Sequence, residues 1–358
     1  MLEESDGSLV DWGLAASLGR RMAGEGEPPL DEAVVRASFE QALSKALAYT
    51  TLTPACEVPP VEVVSRDEWI NANLAELAKM FAPMEERFAG DLDLPGPLGA
   101  IARKVIGATA GAEAGAVVGY AAKRVLGQYQ VSLRPDPGYP RMLLVGANLE
   151  DAAAKLEVDP DAFLLWVSIH EQTHSIQFAS VPWLREHIAG LVSELLDAAS
   201  GGIDARAIFA RAKELIGPDP REGMRRLLGG ELSRVFASPE QAAVMDRVQA
   251  VMAVVEGYAE HVMDEASADE PSLSHMRERM TARRAERTGI ADLIARILGL
   301  GAKLRQYELG KSWCDAVAAG GGIEGLDRVW ESPEALPSLE ELEDAAAWVR
   351  RVLTPAAA

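Results

Sequence analysis

Two histidines stand four residues apart in WVSIHEQTHSIQF, Trp166–Phe178, and a glutamate follows the first directly. The chain holds only five histidines in 358 residues, so pairing two of them is a concentration of metal-binding chemistry. At 3.6 residues per turn, His170 and His174 lie about 40° apart around a helix axis, and both imidazoles can reach one ion. Glu171 then stands close enough to take a proton from a water at that ion. The competing reading is a chance match of five residues on a solvated helix.

A catalytic zinc needs a third protein ligand and an open position. One class of zinc peptidase extends the motif with a glycine and a third histidine; Gln177 and Ser180 occupy those positions and exclude it. A second source is VVEGYAEHVMD, where Glu256 and Glu260 are four residues apart among apolar Met252, Val255, Ala259 and Met263. A carboxylate on such a face must be paired, protonated or bound to metal. Glu256 is the leading third ligand, with His187, Glu260 and His261 as alternatives. Glu260 shares nearly the same face as Glu256 and is placed to orient an imidazole from one turn further on. Tyr258 and His261 lie about 200° and 140° around the axis from Glu256 and do not share its face. Oxyanion stabilisation is better sought in KLRQYELGKSW, at Arg305 and Tyr307, with Tyr307 the candidate catalytic residue. Its ordinary reading is an interfacial tyrosine with a satisfied hydroxyl.

Helices must position these groups. Asp159 and Pro160 open the motif helix in cap-then-proline fashion, Phe163, Val167 and Phe178 follow its spacing, and Pro182 limits it. A long helix should start at Pro239 with Ser238 as N-cap and carry Glu256. Upstream, helices are expected over 9–22, over 30–49, and after Asp67 as a cap. PPVEVVS alternates like a short strand. QYQVSL and RMLLVGA read as a small antiparallel ribbon joined by RPDPGYP, and LDLPGP reads as a loop. The expected fold is α+β and predominantly α-helical: one large domain over 1–358, with possible lobes at 1–158 and 159–358, and the motif helix beside the small sheet.

Gly107, Gly111, Gly115 and Gly119 recur every four residues in an Ala/Gly-rich apolar run. On a helix they form one face that lets another backbone approach closely. Glu113 inside the run and Arg103, Lys104, Lys123 and Arg124 around it argue for a packed helix over a membrane span.

The balance of 35 basic against 55 acidic residues, a net charge of −20, argues against nucleic acid or anionic membrane as partner. RERMTARRAER, Arg277–Arg287, reads as a solvated face. Cys56 and Cys314 form no disulfide framework or thiolate zinc site and suit a reducing cytoplasm. The start, MLEESDGSLVDW, lacks a secretory signal pattern.

VLGQYQVSL, HEQTHSIQF followed by VPWL, EGYAEHVMD and KLRQYELGK occur in this order and together resemble a bacterial family of zincin-like metallopeptidases. Its members are often labelled only as hydrolases, or as associated with deazaflavin-coenzyme biosynthesis. The resemblance spans from VDW at Val10 to the VWESPEALPSLEELEDAAAWVRR tail. It implies a zinc site at His170 and His174, Glu171 as base and Glu256 as third ligand, and supplies no substrate. Tyr258 stands where the family holds histidine as often. The leading expectation is a cytoplasmic zinc-dependent hydrolase acting on a peptide or protein. The alternative is a non-catalytic helical scaffold, stabilised by metal or binding a partner. Retention of Glu171 favours the enzyme, since a structural site has no use for an acid beside its ligand.

Overall fold

The computed structural model describes residues 10–24, 30–88, 97–132, 140–200, 239–270 and 305–354, with side chains given at all of these but 83–88, 97–103, 106, 198–200, 239 and 305–308. The Arg277–Arg287 run, Ser238, Leu92–Gly96 and Arg134–Tyr139 lie outside the described residues. By its contacts the chain divides into two units. Of the described residues, one unit holds those within Met1–Val35 and Val61–Pro160, and the other those within Arg36–Pro60, Asp161–Ala285 and Leu298–Ala358. Arg36–Pro60 thus group with the later helices.

The first unit contains α1 (Trp12–Ala23), the start of α2 (Glu32–Tyr49), β1 (Val61–Val64), α3 (Arg66–Phe88), α4 (Pro97–Ala122), β2 (Gly127–Gln130), β3 (Arg141–Val145) and α5 (Gly146–Leu156). The strands form one sheet in the order β1-β3-β2. The expected antiparallel ribbon is present, with Gln128 opposite Leu143. The sheet as a whole is mixed, because β1 joins β3 in parallel with Val63 opposite Leu144. Central β3 is buried from Met142 to Val145, so it reads as a continuous apolar run without alternation. Ser65 caps α3: its hydroxyl accepts from Glu68 N while the Glu68 carboxylate accepts from Ser65 N. Asp67, the expected cap, sits inside the first turn.

The glycine face of α4 receives α1. Asp11 N donates to the Gly107 carbonyl at 2.9 Å. A Cβ added at Gly111, Gly115 or Gly119 would come within 3.0 Å of the backbone of Asp11, Ala15 or Gly19 respectively. Ala15, Ala16 and Ala23 enter the core shared with Trp69, Ile70, Leu74, Val118, Leu143 and Val145. Small residues on both helices let main chains meet where larger side chains would hold them apart. Among the described residues, no helix is long and apolar enough to cross a membrane.

The second unit contains the rest of α2, α6 (Pro160–Ser180), α7 (Pro182–Ser200), α8 (Pro239–Ala266), α9 (Arg305–Asp327, kinked at Gly322), α10 (Leu339–Glu343) and α11 (Ala345–Val352). Pro160 and Pro239 are the first helical residues of α6 and α8, as the sequence predicts. From Ala162 to Ala179, α6 is buried on nearly all sides. Gln172 Nε2 donates to the Phe39 carbonyl at 3.1 Å, and Ser168 Oγ lies 3.2 Å from Ser38 Oγ, so the α2 segment covers one side. A second glycine contact joins α8 to α9: a Cβ on Gly257 would strike the backbone of Gly310 and Lys311, and one on Gly310 the backbone of Ala253. Gly257 follows Glu256 directly, so this contact fixes the turn of α8 that carries the carboxylate.

Candidate metal centre

His170 and His174 face each other edge-on from consecutive turns of α6, their ring planes at 86° and their Nε2 atoms 3.2 Å apart. Glu256 comes to them from α8, its Oε2 3.6 Å from His170 Nε2 and 3.8 Å from His174 Nε2. These three residues form the group of potential ligands found among the described residues. Three donors each about 2.0–2.1 Å from a tetrahedral ion stand roughly 3.3 Å from one another. The observed separations are close to that spacing.

The protonation state of His174 also suits an ion. Gln177, one turn further along α6, donates from Nε2 to the Val255 carbonyl at 3.0 Å, which fixes the orientation of its amide. Its Oε1 then accepts from His174 Nδ1 at 2.9 Å. The Nδ1–H tautomer follows, leaving the Nε2 lone pair aimed at His170 and Glu256. Burial pushes the His174 imidazole down to about 4, with the nearby Glu256 charge opposing, so the ring is neutral at ordinary pH. Glu171 lies beside His170 on α6 and is buried. The residues present fit a bound divalent metal with nitrogen and oxygen ligands.

Of the alternative third ligands, His261 has both ring nitrogens engaged away from the cluster. His261 Nε2 lies 2.8 Å from the Tyr49 hydroxyl and its Nδ1 2.7 Å from Asp315 Oδ1. Burial, with the charges of Glu265, Asp327 and Asp315, pushes the Tyr49 phenol up to about 12, so its O–H donates to His261. His187 packs edge-on against the Trp183 ring, and burial and the Arg247 charge lower its pKa. Tyr258 is fully buried; its hydroxyl donates to Asp327 Oδ1 at 2.6 Å and lies 2.5 Å from Thr50 Oγ1. It therefore belongs to a polar knot between α8 and the end of α9. Glu260 stands one turn beyond Glu256 on α8 and is half-buried. Tyr307 falls in the first turn of α9, with its side chain outside the described set.

Gln177 is the residue whose role sequence reasoning missed. In the motif it stands only where a glycine would, although three residues on a helix place it next to His174.

Two histidines with an adjacent acid on one helix, and a glutamate from a second helix, define the class of site seen in zinc-dependent hydrolases of the zincin type. Residues 10–349 match the family of zincin-like metallopeptidases, and the chain belongs to that family. A crystal structure from Chloroflexus aurantiacus, named a "putative hydrolase with a novel fold", is similar with a TM-score of 0.72 and 27% identity, over 97% of this chain and 100% of that one. No curated protein matches.

Proposed function

We propose that the protein is a zinc-dependent hydrolase that cleaves peptide bonds in a peptide or protein, with His170, His174 and Glu256 as metal ligands and Glu171 as general base. The convergence of the three donor groups from α6 and α8 carries this reading. Zinc held there would supply Lewis acidity and lower the pKa of a bound water. Glu171 is placed next to a ligand histidine, where its carboxylate takes the proton of the attacking water and delivers it to the leaving nitrogen. Gln177 keeps His174 in the ligating tautomer, and Glu260 is proposed to support the same ligand set from one turn along α8. Tyr307 remains the proposed oxyanion donor. The acidic chain and its unpaired cysteines accord with a cytoplasmic peptide or protein as substrate and not with nucleic acid.

The test joins metal content to turnover. Purified protein should carry about one zinc per chain, and His170→Ala or His174→Ala should abolish it. Glu171→Gln should keep the zinc and lose hydrolysis of peptides that the wild type cleaves from a library, because an amide does not accept the proton. Full zinc occupancy in the double-histidine variant, or undiminished turnover by Glu171→Gln, overturns the assignment.

A further inference from the structure

EGYAEHVMD and KLRQYELGK each carry a glycine, and the fold brings the two together, Gly257 of α8 against Gly310 of α9. A Cβ on Gly257 would come within 3.0 Å of the Gly310 carbonyl and of Lys311 N, and one on Gly310 within 3.0 Å of the Ala253 carbonyl. Ordinary carbon contacts lie at about 3.5–4.0 Å, so the two main chains leave no room for even a methyl group.

The contact bears on the metal centre through Glu256, which stands between two anchored neighbours. Before it, the Val255 carbonyl accepts from Gln177 of α6 at 3.0 Å; after it, Gly257 rests on α9. Trp313, Cys314 and Val317 lie within about 60° of Gly310 around α9 and are buried. The helix α9 therefore recedes only by opening that packing, and a methyl added at Gly310 displaces the turn of α8 from Ala253 to Gly257 instead. Metal–ligand distances hold to about 0.2 Å. The added methyl demands a shift of about 1 Å.

We infer that Gly310 is a positioning residue for the metal centre: its bare backbone sets where α8 presents the Glu256 carboxylate to His170 and His174. This rests on the zinc-hydrolase reading and adds to it a helix that supplies none of the three donors. By linkage the coupling runs both ways, so an ion that holds Glu256 also holds the contact of α8 with α9.

The experiment compares Gly310→Ala with Gly115→Ala in the full chain. Both variants add one methyl to a close backbone contact, but Gly115 belongs to the contact of α1 with α4 in the other unit. Competition titration should show zinc affinity about 10–100-fold weaker in Gly310→Ala and unchanged in Gly115→Ala. With cobalt(II) in place of zinc, the visible absorption bands, which report ligand geometry, should change in Gly310→Ala alone. Wild-type affinity and bands in Gly310→Ala, or equal changes in both variants, overturn the role of Gly310 and leave the zinc site intact. Should either variant not fold, amide exchange in the wild type decides. Zinc loading should then slow exchange at Gly310 and Lys311 more than in α11 of the same unit, and equal slowing overturns the inference. A wild type that binds no zinc removes the zinc-hydrolase reading, and this inference with it.

Discussion

Gln177 bonds His174 Nδ1 through its amide oxygen at 2.9 Å, and the same amide reaches across to the main chain of α8 beside Glu256. One side chain thus sets the tautomer of one proposed ligand and the distance to the helix that supplies another. Gln177→Leu should weaken zinc binding about 10–100-fold, the usual cost of losing a partner behind a metal-bound imidazole. Gln177→Glu, which still accepts from Nδ1, should lose less. Competition titration with a chromophoric chelator measures both, and unchanged affinity in the leucine variant would remove Gln177 from the site.

Glu256 and Glu260 should separate cleanly. Glu256→Ala removes a proposed ligand and should reduce zinc occupancy steeply, whereas Glu260→Ala should weaken affinity about 10–100-fold. A Glu256→Ala protein that keeps full zinc after dialysis against a mild chelator would sink the third-ligand assignment.

The glycine contacts give a stability prediction. Leucine at Gly115 would have to push α1 away from α4, because even a Cβ there overlaps the Ala15 backbone. Gly115→Leu should destabilise the fold by about 3 kcal/mol or more, at the upper end of overpacking costs. Leucine at Gly190, where an added Cβ meets nothing within 4 Å, serves as the control. Equal denaturation midpoints for the two variants would show that the close approach carries no stability.

Local signals were the legible ones. Pro160 and Pro239 marked helix starts, and the four-residue glycine repeat announced a close helix contact, because each works within one or two turns. The reach of α6 and α8 to one point was approachable only because Glu256 was a carboxylate on an apolar face. Pairing of β1 with β3 was not legible, since nothing in VEVV specifies a parallel partner 81 residues away. The destination of His261 was hidden for the same reason: its partners Tyr49 and Asp315 come from helices distant in sequence. The role of Gln177 was hidden because its second partner, the Val255 carbonyl, lies on a helix distant in sequence.

The His261 chain makes the last prediction. Burial works against the Asp315 charge, but hydrogen bonds from His261 and Lys311, with the positive charge of Lys311, outweigh it and hold the carboxyl below its ordinary value of 3.8. With a depressed folded-state pKa, the unfolded chain takes up the proton first as pH falls. Asp315 therefore adds stability that is complete above its unfolded value and is lost as pH drops through the lower folded value. Asp315→Asn keeps an acceptor for His261 Nδ1 and leaves Lys311 paired with Asp264, 3.1 Å away, so it removes chiefly the charge. The carboxylate is 46% exposed, and solvent screening keeps the effect small. Melting temperature should fall by about 3 °C at pH 7 in low salt and by almost nothing at pH 3. An equal loss at both pH values would mean that the substitution acts through packing and that the charge of Asp315 contributes nothing.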